Sequence, residues 1–202
     1  TLDGITQRED KFRLIPGGED APYTVRLLLR ATGQKATLDY FSYAKGVIKG
    51  KKQLEPFTLG SDIRIAAAVC SSIIAPGDYR YFTSKGANLL TNSASLSTFR
   101  GSRLFAWQQK TLGRFMATAN ARYFLQSANA ASAYTIDNNG NQVAEARDIN
   151  TLRVTALTNT KRTPYTIFGE WLAWLGALIT AAIVGRYYIY PRVKKRTGKT
   201  VS

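Results

Sequence analysis

A nearly unbroken apolar segment close to the C-terminus constrains this chain more than any other feature of its sequence. Residues 171–185 carry no charged side chain, and tryptophans and tyrosines flank them within the wider segment 165–190. A helix that crosses a bilayer needs about 20 mainly apolar residues, and aromatic residues concentrate at the two membrane interfaces. The pattern predicts that residues 161–190 form a linker and one transmembrane helix. The alternative is a buried helix of a soluble domain.

The distribution of charge predicts how such a helix would be oriented. The chain has 28 Lys+Arg against 13 Asp+Glu. Six of the cations follow the apolar residues, at Arg186, Arg192, Lys194, Lys195, Arg196 and Lys199. Because positive residues accumulate on the cytoplasmic side of a membrane, we expect residues 191–202 to form a basic cytoplasmic tail. Residues 1–160 would then lie on the extracytoplasmic side.

The remaining positive charge does not by itself indicate nucleic-acid binding. A basic stretch at residues 45–52 could contact anionic head groups, but a solvated insertion explains it more simply. Neither base-stacking aromatic residues nor a recognition helix accompanies this stretch, so we expect no nucleic-acid partner.

The scarcity of cysteine and histidine narrows the possible chemistry. Cys70 is the single cysteine, and the chain contains no histidine. An intramolecular disulfide is therefore impossible, and the commonest metal ligand and the usual partner of a serine or cysteine nucleophile are both missing. We expect neither zinc chemistry nor serine-protease chemistry, and no metal ion or cofactor.

Upstream of the apolar segment, the hydrophobic pattern alternates between strands and helices. Strands are predicted over residues 63–69, 87–92, 123–128, 131–136, 142–146 and 151–157. Helices are predicted over residues 78–85 and 101–122. The buried face of the second helix is predicted to consist of Leu104, Trp107, Leu112, Phe115 and Ala119. An Asp-Asn-Asn-Gly turn at residues 137–140 predicts a hairpin. This order is typical of a layered α/β domain.

Cys70 closes the apolar run at residues 63–69 and is a candidate nucleophile. A free cysteine is often only a small buried hydrophobic residue, so its context matters. A cysteine that attacks an acyl carbon needs a base to form the thiolate and a cation to stabilise the oxyanion. Lys11 can supply the cation, and a carboxylate can supply the base.

Several segments occur in an order that carries a family resemblance. Residues 9–19 read Glu-Asp-Lys-Phe-Arg-Leu-Ile-Pro-Gly-Gly-Glu, and the cysteine strand is followed by Pro76. Residues 86–92 read Gly-Ala-Asn-Leu-Leu-Thr-Asn, and residues 136–140 read Ile-Asp-Asn-Asn-Gly. With these segments the chain resembles the nitrilase, or carbon-nitrogen hydrolase, superfamily. Residues 162–171 and the apolar segment after them resemble the apolipoprotein N-acyltransferase branch of bacterial envelopes.

The resemblance implies a fold and a reaction. Residues 1–160 would be the C-terminal portion of a nitrilase-like α-β-β-α sandwich, followed by one transmembrane helix in the bacterial cytoplasmic (inner) membrane. Cys70 would accept a fatty acyl group from a phospholipid as a thioester and transfer it to the N-terminal amine of a diacylglyceryl lipoprotein. Lys11 would stabilise the oxyanion, and Glu19 would support Lys11. Ser71, Ser72, Asn92 and Ser93 would line the site.

The chain also departs from the family pattern. The family's general-base glutamate lies well upstream of the lysine, whereas here only Asp3, Glu9 and Asp10 precede Lys11, and all three are too near. We therefore expect the base to lie outside this sequence and the fragment alone to be inactive. Ser71 and Ser72 replace the family's Tyr-Glu. Two alternatives remain open: a membrane-anchored amidase that uses water, and a non-catalytic envelope protein that retains the fold.

Overall fold

The computed structural model describes residues 7–15, 19–40, 50–99, 101–146 and 151–190. The strands are β1 (Phe57–Leu59), β2 (Ile63–Val69), β3 (Leu89–Ser95), β4 (Phe124–Asn129), β5 (Ala133–Ile136) and β6 (Gln142–Ala146). The helices are α1 (Tyr23–Ala31), α2 (Lys35–Asp39), α3 (Pro76–Ser84), α4 (Arg103–Asn120), α5 (Pro164–Phe168) and α6 (Trp171–Val184). Short 3-10 turns cover Cys70–Ile74 and Ser97–Phe99, and a π-helical turn, Gly185–Ile189, follows α6.

The strands form one mixed six-stranded sheet in the order β1-β2-β3-β4-β5-β6. Strands β2, β3 and β4 are parallel, and the other pairs are antiparallel. Since parallel strands point the same way, the C-terminal ends of β2, β3 and β4 meet at one edge of the sheet. Ligands of open α/β sheets bind at edges of this kind.

Helices α3 and α4 cover one face of the sheet and enclose the core. The sheet contributes a row of paired residues, in which Ala66 lies beside Leu90 and Leu90 beside Phe124. Tyr79 and Phe82 of α3 pack onto this row, together with Met116 and Ala117 of α4. Apolar burial of this kind provides most of the driving force for folding.

The predicted inner face of the second helix is wrong. The buried residues of α4 are Gln109, Gly113, Met116, Ala117 and Asn120, whereas Leu104 is 66% exposed and Trp107 is 63% exposed. Phe115 is also exposed, and Leu112 packs only partly against the core. The physical reason is the closeness of the helix to the sheet: a Cβ on Gly113 would lie 3.0 Å from the Phe124 ring. Small residues permit this approach, and bulky ones do not.

The opposite face of the sheet is less well covered. Ile65, Val69, Leu89 and Leu125 point away from the helices and are only half-buried. The described residues contain one sheet, not the two of the sandwich. The fold is therefore an α/β arrangement around a mixed sheet, with one sheet face covered by helices.

Most of the predicted elements are confirmed, with shifted ends. Strand β2 has the predicted bounds, and the hairpin of β5 and β6 forms around the predicted turn. The strand predicted over residues 151–157 is wrong, because this segment has no ladder partner among the described residues. The chain after residue 157 is instead held by Arg122, whose Nη1 donates a hydrogen bond to the Lys161 carbonyl over 2.8 Å. The sequence patterns did not predict β1, α1 or α2.

Helix α6 differs from the other helices because its apolar side chains are exposed all round. Its 14 residues include Trp174 and Leu178, which are 72% and 67% exposed. Within the described residues, however, no helix combines the length and hydropathy needed to cross a membrane. The predicted transmembrane helix is thus not confirmed. The predicted basic tail, residues 191–202, lies outside the described residues, as do residues 45–49 of the basic stretch.

Candidate active site

The backbone turns sharply at Cys70, directly after β2. Cys70 begins a 3-10 turn and has a φ of +50°, in the left-handed region that residues other than glycine seldom occupy. Strained conformations of this kind cluster at functional sites. The turn places the free, half-buried thiol at the edge where the parallel strands end. The geometry is that of a nucleophile presented between a strand and a helix.

A cavity of about 830 Å³ surrounds Cys70 and brings several predicted residues together. Lys11, Glu19 and Ser93 line it with Cys70. The sheet register explains the position of Ser93, because Val69 lies beside Ser93 in the β2–β3 ladder. Of the seven residues predicted for the site, these four therefore share one cavity.

Lys11 and Glu19 form an ion pair at the wall of this cavity. Lys11 Nζ donates to Glu19 Oε1 over 2.5 Å, and both side chains are largely shielded from solvent. The second carboxylate oxygen of Glu19 accepts a hydrogen bond from the Ile15 backbone N–H over 2.9 Å. Because both oxygens are engaged, Glu19 orients the ammonium group of Lys11 as a charged hydrogen-bond donor.

A second ion pair connects the Lys11 segment to the chain after Cys70. Arg13 donates to the two carboxylate oxygens of Asp78 over 2.8 and 2.9 Å, and Asp78 is buried at the start of α3. This hydrogen bond from Arg13 to Asp78 raises the pKa of Arg13. Ser71 Oγ also donates to the Arg13 carbonyl oxygen. These contacts hold residues 11–13 against the turn that carries Cys70.

Three residues predicted to line the site do not line this cavity. Ser71 is buried and contacts the backbone of Arg13. Ser72 is buried in the 3-10 turn, where its carbonyl accepts from the Ala75 N–H over 3.0 Å. Asn92 is buried on the helix-covered face, where its Nδ2 donates to Gln126 Oε1 over 3.0 Å. Side chains alternate along a strand, so Asn92 and Ser93 point to opposite faces.

Strand β4 contributes a part of the cavity wall that was not predicted from the sequence. Ser127 and Asn129 line the cavity, and Ser127 lies directly beside Ser93 in the β3–β4 ladder. The available signal was the parallel arrangement, since the ends of adjacent parallel strands meet at one edge. Ser95 and Phe99, from the segment after Asn92, also line the cavity.

Charged and buried side chains determine the electrostatics around the site. Within the described ranges no cluster of three or more Cys, Asp or Glu side chains could hold one. Burial raises the pKa of Glu9 to about 7, and repulsion from Asp10 and Asp78 adds to this rise. Glu9 does not line the Cys70 cavity. The arrangement can therefore offer a thiol nucleophile next to a cation, with several neutral hydroxyl and amide groups around them.

Comparison with known proteins identifies the family. The sequence profile of the carbon-nitrogen hydrolases matches residues 2–160. An apolipoprotein N-acyltransferase from Chlorobaculum tepidum is 28% identical over 144 residues, which cover 70% of this chain and 26% of that protein. This chain thus spans about a quarter of the relative's length.

Two solved structures are also similar in part. A carbon-nitrogen hydrolase from Helicobacter pylori G27 has a TM-score of 0.44 at 18% identity, covering 50% of this chain and 41% of that one. A cysteine-to-alanine mutant of a nitrilase-superfamily amidase from Nesterenkonia AN1 has a TM-score of 0.48 at 14% identity, covering 63% and 51%. On the strength of the profile match, which extends over most of its length, this chain belongs to the carbon-nitrogen hydrolase family.

Proposed function

We propose that this chain carries the nucleophile and the oxyanion-stabilising group of an N-acyltransferase of the apolipoprotein type. In this reaction an acyl group moves from a phospholipid to Cys70 and then to the N-terminal amine of a diacylglyceryl lipoprotein. The observation that carries the proposal is that Cys70, Lys11 and Glu19 line one cavity. The named relative from Chlorobaculum tepidum supports the choice of reaction.

The first half of the reaction forms a thioester. The Cys70 thiolate attacks the ester carbonyl carbon of the phospholipid, and the carbonyl electron pair moves onto oxygen. The Lys11 ammonium group donates a hydrogen bond to this oxyanion, a kind of stabilisation that is often the largest single contribution to catalysis. The carbonyl then reforms as the carbon-oxygen bond to the lysophospholipid breaks, and the leaving alkoxide takes up the proton that the thiol had released.

The second half transfers the acyl group to nitrogen. The neutral amine attacks the thioester carbon, the carbon-nitrogen bond forms, and the carbon-sulfur bond breaks to return the Cys70 thiolate. The amine loses one proton to a general base. We do not assign this base to Glu19, whose two oxygens already bind Lys11 and the Ile15 N–H. We assign it to a carboxylate from outside the described residues.

Exposed apolar surfaces support a lipid substrate and a position at the bacterial cytoplasmic membrane. Helix α1 exposes Tyr23, Leu27 and Leu28, and it also carries Arg26 and Arg30. A basic amphipathic helix of this composition is typical of membrane-surface contact. Helix α6 exposes apolar side chains all round, a pattern that is stable only where another apolar phase covers it. We therefore propose that α6 inserts into lipid, with residues 161–170 as the linker to it and the Cys70 cavity on the extracytoplasmic side.

The first test is the intact mass of the native protein isolated from its own membranes, measured before and after treatment with hydroxylamine. We expect a fatty-acyl increment that hydroxylamine removes, and we expect Cys70→Ala to abolish it. Lys11→Met should slow thioester formation by about 10²–10³-fold, as for the loss of one oxyanion donor. Lys85→Met is the matched control, since Lys85 pairs with Glu55 on the surface. A native protein without any labile adduct would contradict the proposal.

An amidase that uses water is the second candidate. It is favoured by the polar wall of the cavity, where Ser93, Ser95, Ser127 and Asn129 lie near Cys70. Such side chains can hydrogen-bond the oxygen and nitrogen of a small amide substrate. Release of ammonia from small amides, lost in Cys70→Ala and without acyl transfer to amines, would select this candidate.

A further inference from the structure

A second cavity adjoins the Cys70 cavity. It has a volume of about 420 Å³ and lies between the N-terminal half of α4 and strands β4 to β6. Phe99 lines both cavities, so the two meet at the edge of the sheet, with the second cavity on the helix-covered face and the Cys70 cavity on the other face. Small-molecule sites in proteins usually occupy about 300–1,000 Å³. The second cavity is therefore large enough for part of a substrate.

Four aromatic residues contribute to its walls, and its charged lining residues are Arg103, Lys110 and Glu145. Phe99 and Phe105 stack with their ring centroids 3.6 Å apart, and Trp107 also lines the cavity. Lys110 Nζ donates to Glu145 Oε2 over 2.7 Å, so their charges offset each other. This contact lowers the pKa of Glu145 to about 2, so the Glu145 carboxyl is ionised at neutral pH.

Two buried polar atoms at this cavity have no hydrogen-bond partner among the described residues. They are Oε1 of Gln109, an acceptor, and the hydroxyl of Tyr134. Gln109 is 6% exposed and Tyr134 is 3% exposed, and both residues line the cavity. Burial raises the pKa of Tyr134, which therefore stays protonated and can donate. Buried polar groups are nearly always paired in folded proteins, so these two atoms are available to pair with a polar group that enters the cavity.

We propose that this second cavity binds the amide group of the peptide whose amine attacks the Cys70 thioester. The peptide N–H donates to Gln109 Oε1, and the peptide carbonyl accepts from the Tyr134 hydroxyl. An amide fits because it is neutral and offers one donor and one acceptor. The aromatic walls suit the apolar part of such an acceptor. This inference rests on the proposed function, since it assigns the cavity to the peptide that accepts the acyl group in that reaction.

The test compares two amines that differ in their amide groups. Alanyl-phenylalaninamide and phenethylamine are titrated calorimetrically into the full-length Cys70→Ala protein, in which no thioester can form. We expect the amide-bearing probe to bind more tightly. Gln109→Leu and Tyr134→Phe should each weaken its binding about tenfold, the loss typical of one neutral hydrogen bond. Neither substitution should change the binding of phenethylamine.

Tyr79→Phe is the matched control. Tyr79 is fully buried, and its hydroxyl also has no partner in the part of the chain that the structure describes, but it does not line the cavity. We expect Tyr79→Phe to leave the binding of both probes unchanged. Because the Tyr134 hydroxyl is unpaired without ligand, Tyr134→Phe should not lower the thermal midpoint of the free protein. A lower midpoint would mean an internal partner or an ordered water and would overturn the inference.

The remaining outcomes separate this inference from the proposed function. Equal affinity for the two amines, while the native protein still carries the hydroxylamine-labile adduct, would overturn the acceptor subsite alone. Amide-dependent binding that Gln109→Leu and Tyr134→Phe weaken would support the subsite even if no thioester were found, and the proposed acyl transfer would then be the part that fails.

Discussion

At the scale of single residues, the contact between Arg13 and Asp78 joins the segment that carries Lys11 to the helix that follows the Cys70 turn. Arg13 lies two residues from Lys11, while Asp78 lies in the first turn of α3, the helix that follows the Cys70 turn. The pair is bidentate, and the carboxylate is buried. Such pairs fix geometry as well as adding energy. Asp78 is therefore a positioning residue, which acts through the segment that carries Lys11.

Replacing Asp78 should loosen this arrangement without removing a reacting group. We expect Asp78→Asn to lower kcat for acyl transfer by about 10–100-fold, because displacements of about 1 Å have effects of this size. The measurement is the steady-state rate with a phospholipid donor and a peptide amine. Glu55→Gln, which breaks an exposed ion pair with Lys85, is the control. Equal rates for the two variants would show that the Arg13–Asp78 contact does not position Lys11.

Glu9 provides a pH-dependent prediction at the same scale. Burial and two neighbouring carboxylates raise its pKa from 4.5 to about 7. The folded protein thus binds this proton more tightly than the unfolded chain, so Glu9 destabilises the fold as the pH rises from about 4.5 to 7. Glu9→Gln should be more stable than the parent at pH 8, by about 1 kcal/mol after solvent screening.

The measurement for Glu9 is urea unfolding of parent and variant at pH 4.5 and pH 8. Below pH 4.5 the parent carboxyl is protonated in both states, so the two proteins should be about equally stable there. A stability difference that does not change with pH would show that the Glu9 carboxyl is not perturbed by folding.

At the scale of elements, the close packing of α4 on the sheet depends on Gly113. A Cβ there would lie 3.0 and 3.1 Å from two Phe124 ring atoms and 3.2 Å from Ile136 Cδ1. Gly113→Ala should gain about 1 kcal/mol in helix propensity but lose about 1–3 kcal/mol to overpacking. We expect a net destabilisation of about 1 kcal/mol, measured by urea unfolding.

Gly77 provides the matched comparison for Gly113. It lies in α3, and a Cβ there would meet no atom within 4 Å. Gly77→Ala should therefore stabilise the protein by about 0.5 kcal/mol through reduced freedom of the unfolded chain. If both alanine variants gained stability, the close approach of α4 to Phe124 would be wrong.

At the scale of the whole molecule, the proposed membrane association depends on the exposed apolar helix α6. Leu175 and Leu178 lie in its middle, and both are exposed. We expect the double variant Leu175→Asp, Leu178→Asp to lose most binding to phosphatidylglycerol-containing vesicles in a flotation assay. Each aspartate at the centre of an inserted helix costs about 3 kcal/mol.

The control for this assay adds the same charges elsewhere. Leu59 and Val143 are exposed on β1 and β6, and Leu59→Asp, Val143→Asp should bind vesicles like the parent. If both double variants lost binding equally, net charge and not insertion of α6 would explain the association.

The order of the elements from β2 to β6 and the choice of the candidate site residues came from the sequence alone. Strand periodicity is local, so β2 and the β5–β6 hairpin could be predicted from neighbouring residues. Cys70, Lys11 and Glu19 could be selected because the chemistry of acyl transfer needs those side chains, and their segments match a family pattern.

Only the tertiary structure decided which faces these elements bury and which side chains meet. The apolar spacing of α4 predicted that Leu104 and Trp107 would be buried. Gly113 and Ala117 are buried against the sheet instead, because the helix and the sheet approach closely. Likewise Asn92 faces the helices, while Ser127, which is far from Cys70 in the sequence, lines the Cys70 cavity. Contacts of this kind depend on strand register and layer spacing, which arise from the whole packed molecule and not from neighbouring residues in the chain.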